Sequence, residues 1–253
     1  MDNWQNFKLR MEDIFRKPVY QLDEYPLLDG EKHPFAMICP GGGYAIISNT
    51  MEGAPIAKKL NEQGYAAFVL RYRCRQQAHF PAPMDDLARA VRDVLSRQEE
   101  LGIKAEHYSV WGASAGGHLA ATFGTCSMGW EHYHLPRPEA LILSYPVITM
   151  GKEGHAETRK NLLGTNLDQA MIEQTSVEKQ ITKAYPATFI WYGKADTEVS
   201  PKNSLLLKAE LDKKSIANRL ISYDHVGHGV GLGENTECAG WFDEAVQFWK
   251  DVS

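Results

Sequence analysis

Short runs of apolar residues alternate along this chain with longer stretches in which apolar side chains recur every three or four positions. The short runs lie at 35–39, 66–70, 108–111, 140–145, 188–192 and 219–223. Several lack the polar alternation of a half-exposed strand, so they are expected to be strands covered on both faces, as in a parallel sheet. Helices are expected at 53–63, 84–101, 115–123, 202–214 and 237–251. In 84–101, Leu87, Val91, Val94 and Leu95 fall on one stripe. Ser200-Pro201 ahead of Leu205 supplies an N-cap and a first-turn proline.

Strand-helix alternation of this kind predicts an α/β fold. It has a mostly parallel central sheet, right-handed crossovers and helices on both faces. No repeat or linker divides the chain, so residues 1–253 are expected to form a single domain. Residues 1–34 are loosely patterned, with an antiparallel edge strand expected near 19–22. Residues 150–184 show no strand pattern and fall between two sheet strands, so they are the candidate for a small cap insertion.

Composition narrows the function classes. The net charge of −5 and the lack of a basic run argue against nucleic acid or an anionic membrane as partner. No apolar run approaches the ~20 residues of a membrane helix. The opening residues Met1-Asp2-Asn3-Trp4-Gln5-Asn6 do not resemble a secretory leader. Cys39, Cys74, Cys126 and Cys238 are widely spaced and show no metal-ligand pairing. A cytoplasmic location, without metal or organic cofactor, is therefore expected. Neither charge nor composition excludes a homo-oligomer.

The stretch Val110-Trp111-Gly112-Ala113-Ser114-Ala115-Gly116-Gly117-His118 holds the pattern G-x-S-x-G, directly after an apolar run and before the helix-forming Leu119-Ala120-Ala121. In that setting it describes a nucleophile elbow, a turn so sharp that the serine hydroxyl stands exposed. A serine is a weak nucleophile until a base takes its proton. In such folds an acid and then a histidine follow, each after a sheet strand.

After the 188–192 run comes Gly193-Lys194-Ala195-Asp196-Thr197-Glu198, which makes Asp196 the expected acid, with Glu198 a solvated competitor. After 219–223 comes Asp224-His225-Val226-Gly227-His228-Gly229. His228 is preferred over His225 as the base, because flanking glycines let its loop fold inward. His118 is read as a packing residue in the elbow helix, and His132, His134 and His155 need no catalytic role.

Acyl transfer also needs N–H donors for a developing oxyanion. Pro40-Gly41-Gly42-Gly43-Tyr44 follows an early strand and leaves backbone amides uncovered, and Ala115 adds the N–H after the nucleophile. A phosphate loop is disfavoured because no Gly-Lys-Ser/Thr follows.

With these motifs the chain resembles the α/β-hydrolase superfamily, and within it the hormone-sensitive-lipase-like bacterial acetyl esterases. Further marks are Leu-Arg-Tyr at 70–72, Phe-Pro-Ala-Pro at 80–83, Leu-Ser-Tyr-Pro-Val-Ile at 143–148 and Gly-His-Gly at 227–229. Many relatives carry a histidine where this chain has Pro40. The resemblance implies a Ser114–Asp196–His228 triad with oxyanion donors at Gly42, Gly43 and Ala115. It also implies hydrolysis of an ester of a sugar or other small alcohol, and the small expected cap, with no long apolar lid helix, points to a short acyl group, acetyl foremost. The partner expected is then a small-molecule ester, with an acetylated oligosaccharide as one candidate. Tyr44, Trp130 and Tyr133 are candidates to line the pocket, with core packing the competing reading. An amidase, peptidase or arylformamidase on the same fold would share these motifs. A catalytically dead binding protein would usually have lost a triad member.

Overall fold

The computed structural model describes residues 20–165 and 167–253. Its centre is a seven-stranded sheet, numbered here in chain order. The strands are β1 (Gln21–Tyr25), β2 (Phe35–Cys39), β3 (Ala66–Arg71), β4 (Ser109–Ala113), β5 (Ala140–Ser144), β6 (Ala187–Gly193) and β7 (Asn218–Tyr223). Their spatial order is β1-β3-β2-β4-β5-β6-β7. Only β1 runs antiparallel, along the edge beside β3. The expected edge strand therefore exists, displaced toward the C-terminus; Val19, where its expected span began, lies outside the described residues.

The unbroken apolar strands are buried on both faces because alternate side chains enter two separate cores. Phe35, Met37 and Cys39 of β2 face one core, while Ala36 and Ile38 face the other. The first core is closed by helices α2 (Ala82–Ser96), α3 (Ser114–Phe123) and α6 (Lys202–Lys213), through residues such as Leu87, Leu119 and Leu207. The second is closed by α1 (Ala54–Glu62) and α7 (Trp241–Val252). There Trp191 meets Trp241 with ring centroids 5.1 Å apart, and Trp111 meets Phe242 at 5.5 Å.

Two expected helices are shorter than their apolar pattern. The 84–101 pattern gives a helix that ends at Ser96. Arg97 instead pairs with Glu24 of β1 and with Glu100, and turns then carry Leu101 and Ile103 into the core. The 237–251 pattern begins its helix only at Trp241, because Gly240 sits at φ +99° and turns the chain just before it.

The order of β3, β2 and β4 decides where a site can form. The chain leaves β2 toward β3 on one side, then returns to lay β4 on the other. A crevice opens at the carboxyl end of such a switch point. The register Cys39↔Gly112 sets the loop after β2 directly beside the turn after β4. Residues 150–184 carry α4 (Ala156–Leu163) and α5 (Gln169–Thr175), and no strand among the described residues. This segment is tied down by Phe80 N–H on the Leu162 carbonyl (2.9 Å) and Val177 N–H on the Ile148 carbonyl (3.0 Å). Among the described residues, no helix is long and apolar enough to cross a membrane.

Candidate active site

β4 runs straight into α3 with Ser114 at the joint, at φ +53°. That left-handed backbone is strained for a residue with a Cβ and persists only where the surroundings enforce it. The surroundings here are glycines at close approach. A Cβ on Gly112 would lie 2.3 Å from the Gly116 carbonyl oxygen, and one on Gly116 would lie 2.0 Å from that of Cys39. The G-x-S-x-G spacing is thus a packing requirement at the crossing of β4, α3 and the end of β2.

The structure brings together the three residues expected from sequence. His228 Nε2 lies 2.8 Å from Ser114 Oγ, and His228 Nδ1 lies 2.6 Å from Asp196 Oδ2. A carboxylate accepts only, so Nδ1 carries the proton and Nε2 is left to accept from the serine hydroxyl. Asp196 is held in turn: its Oδ1 accepts from the N–H groups of Glu198 and Val199, both at 2.9 Å. The Asp196 carboxylate is 1% exposed and the His228 ring 10%, so both work in a medium poor in water.

The competitors lie elsewhere. Glu198 is exposed, and His225 points outward to Glu237. His132 and His134 are exposed, and His155 bonds Thr158 Oγ1 at 2.7 Å.

The loop 40–44 sits against the serine. Gly42, Gly43 and Tyr44 all have positive φ, at +122°, +64° and +58°. The loop's carbonyls are held from several sides. Tyr72 OH donates to the Pro40 oxygen (2.6 Å), and Asn161 Nδ2 of α4 to that of Gly43 (2.8 Å). Ala45 and Ile46 N–H groups both reach the Gly42 oxygen, at 2.9 and 3.1 Å. The Gly41 N–H is occupied by Glu52 Oε2 at 2.8 Å. Ala115 stands in the first turn of α3, where N–H groups have no partner within the helix.

Tyr44 does not line the site. Its ring is buried and its hydroxyl meets His118 Nδ1 at 3.0 Å. Tyr133 donates to Asp85 at 2.8 Å, and Trp130 packs on the core, so the aromatic candidates serve packing. His118 Nε2 reaches the Thr175 carbonyl oxygen at 2.8 Å, so Nε2 donates and Nδ1 accepts from Tyr44. Burial drives the His118 pKa down to about 4 and keeps the ring neutral. One imidazole thereby joins α3, the glycine loop and the end of α5.

Sequence reading missed Glu52, Tyr72, Tyr145 and Asn161. Tyr72 and Tyr145 stand in the motifs noted above with no role assigned to them, and Glu52 and Asn161 look ordinary in the chain. Glu52 sits where a solvated charge ahead of an amphipathic helix would sit, yet it is 5% exposed.

A serine strained at a strand-helix joint, bonded to a histidine and beside a glycine loop at a sheet switch point, defines an α/β hydrolase. Residues 24–211 match the BD-FAE family, and the chain belongs to that family. It is 31% identical to endo-1,4-beta-xylanase B of Butyrivibrio fibrisolvens, over 90% of this chain and 39% of that protein. It is 29% identical to an acetylxylan esterase of Xylanibacter ruminicola, over 84% of this chain and 43% of that protein. The chain thus spans about two fifths of the length of these curated relatives. Among solved structures, an acetyl ester-xyloside bifunctional hydrolase from Caldicellulosiruptor lactoaceticus superposes with TM-score 0.86 at 31% identity. That match covers 94% of this chain and 91% of that one.

Proposed function

We propose that this protein is a serine esterase that removes short acyl groups, acetyl foremost, from sugars or other small alcohols through an acyl-enzyme on Ser114. The observation that carries this reading is the His228 ring, set between Ser114 Oγ at 2.8 Å and Asp196 Oδ2 at 2.6 Å. His228 takes the serine proton as Oγ attacks the ester carbonyl. The negative oxygen of the tetrahedral intermediate is stabilised by the N–H groups of Gly42, Gly43 and Ala115. Asp196 stabilises the imidazolium that forms. His228 then protonates the leaving alcohol, and water repeats the sequence on the acyl-enzyme.

The acetyl and sugar preference is supported by likeness to the acetylxylan esterase and to the acetyl ester-xyloside hydrolase. Three assays test it together. The enzyme is expected to turn over acetylated xylo-oligosaccharides, and nitrophenyl acetate faster than nitrophenyl octanoate. It is expected to leave N-formylkynurenine and aminoacyl anilides nearly untouched. A fluorophosphonate is expected to label the wild type and not Ser114→Ala. Preferential cleavage of the formamide or anilides would overturn the ester assignment, and an unlabelled wild type would overturn the acyl-enzyme.

A further inference from the structure

Gly41 N–H and the His228 loop belong to different parts of the chain, yet one buried carboxylate and one buried phenol connect them. Glu52 lies in a wide helical turn, Asn49–Gly53, just ahead of α1. Its Oε2 accepts the Gly41 N–H at 2.8 Å, and its Oε1 accepts the Tyr145 hydroxyl proton at 2.7 Å. The same Tyr145 oxygen accepts the Gly231 N–H at 3.2 Å. The Tyr145 ring packs on the His228 ring, with centroids 4.8 Å apart at 64°. Gly231 also lies against the residue before Glu52: a Cβ there would be 2.4 Å from the Met51 carbonyl oxygen.

Glu52 is 5% exposed and Tyr145 1%. Enclosing them costs desolvation that ordinary apolar packing at these positions would avoid. What the arrangement supplies is geometry. Gly41 precedes the two amides assigned to the oxyanion, and an ideal Cβ on it would lie 2.8 Å from both Glu52 Oε2 and Ser114 Cβ. Burial and the facing carboxylate keep the Tyr145 pKa well above 10, so it remains a hydroxyl donor. Tyr145 leaves β5 at φ +37° with its N–H on the Trp191 oxygen at 2.6 Å, and its buried ring packs on the Trp191 ring with centroids 4.9 Å apart, so it has little freedom to move.

We infer that Glu52 and Tyr145 are positioning residues that lock the glycine loop and the His228 loop into one rigid frame, fixing the oxyanion donors relative to the base. This rests on the ester-hydrolase reading above. Displacing a reacting group by about 1 Å can cost on the order of 10²-fold in rate, and that loss falls on kcat.

Steady-state kinetics on nitrophenyl acetate, with thermal melts on the same preparations, test the frame. Tyr145→Phe keeps the ring and deletes only the hydroxyl. It is expected to lower kcat about tenfold while KM stays within about twofold and the protein stays folded at the assay temperature. Glu52→Ala is expected to lower kcat about 10²-fold. Glu52→Gln is expected to recover to within about fivefold of wild type, because a carboxamide oxygen still accepts from Gly41 and its nitrogen can donate to the Tyr145 oxygen, leaving only the phenol proton without its acceptor. Folded Tyr145→Phe with kcat within twofold of wild type would overturn the frame, whatever Glu52→Ala does to folding. Loss in KM alone would overturn it too. An inactive wild type would instead overturn the ester-hydrolase reading, and the frame with it.

Discussion

His228 Nε2 lies 2.8 Å from Ser114 Oγ although 114 positions of chain separate the two residues. The contact depends on Asp196, whose carboxylate fixes which ring nitrogen bears the proton. Asp196→Asn keeps an oxygen for the Glu198 and Val199 N–H groups but turns an NH₂ toward Nδ1. The ring then adopts the tautomer with Nε2–H, which cannot accept from the serine. We expect kcat to fall about 10⁴-fold with KM and melting temperature little changed, as steady-state kinetics and a thermal melt would show. A loss of less than tenfold would mean that another acid orients the ring.

Gly116 and Gly64 make a matched pair for backbone sterics. A methyl at Gly116 would meet the Cys39 and Pro40 carbonyl oxygens at 2.0 and 2.3 Å, both fixed backbone. At Gly64, φ is +84° and nothing lies within 4 Å. Gly64→Ala should cost only the left-handed penalty, about 1–2 kcal/mol, with turnover of nitrophenyl acetate unchanged. Gly116→Ala should cost more than about 3 kcal/mol in urea unfolding, or yield no soluble protein. Equal losses at the two sites would show that the loop after β2 yields more readily than its contacts imply.

His118 makes stability depend on pH. Burial lowers its pKa to about 4 in the fold, against about 6.5 in an unfolded chain. Between these values the unfolded chain binds a proton that the fold does not. The stabilisation is complete above about pH 6.5 and is lost as pH falls toward 4, amounting to about 3 kcal/mol. Urea unfolding from pH 7 to pH 4 should show this slope. His118→Gln should be less stable at pH 7 yet show a shallower decline. An unchanged slope would mean that other groups drive the acid loss.

Asp86 carries no exposed surface and takes Arg73 Nε on both oxygens, at 3.0 and 2.9 Å, with the Arg73 N–H also on Oδ2 at 2.9 Å. The neighbouring Tyr72 holds the Pro40 oxygen, so this pair stands behind the glycine loop. Asp86→Ala leaves a partly buried guanidinium with only the more distant Asp85 carboxylate, at 3.9 Å, and should cost about 3 kcal/mol, read as a shift in urea midpoint. A change below 1 kcal/mol would show that water reaches Arg73 readily.

The motifs noted in the sequence acquire physical reasons here. In Leu-Arg-Tyr, Tyr72 donates to Pro40. In Phe-Pro-Ala-Pro, the Ala82 carbonyl accepts from Arg73 Nη2 at 2.7 Å. In Leu-Ser-Tyr-Pro-Val-Ile, Ser144 Oγ accepts the Trp191 indole N–H at 2.8 Å, and Tyr145 meets Glu52. The loop that starts at Pro40 is held through its carbonyls, by Tyr72 and Asn161. Tyr44 shows the limit of such reading: an aromatic beside a glycine run suits a pocket wall as well as a core, and only its bond to His118 decides between them.

The sequence by itself determined the strands, most helices, and the order in which serine, acid and histidine follow their strands. Those features are local: period, glycine spacing and turn chemistry act over a few residues. Tertiary structure decided where helix 82–96 ends, that Tyr44 turns inward, and that Glu52 is buried against Tyr145. These outcomes depend on partners dozens of residues away. A carboxylate or a phenol has the same local signature whether water or another loop satisfies it.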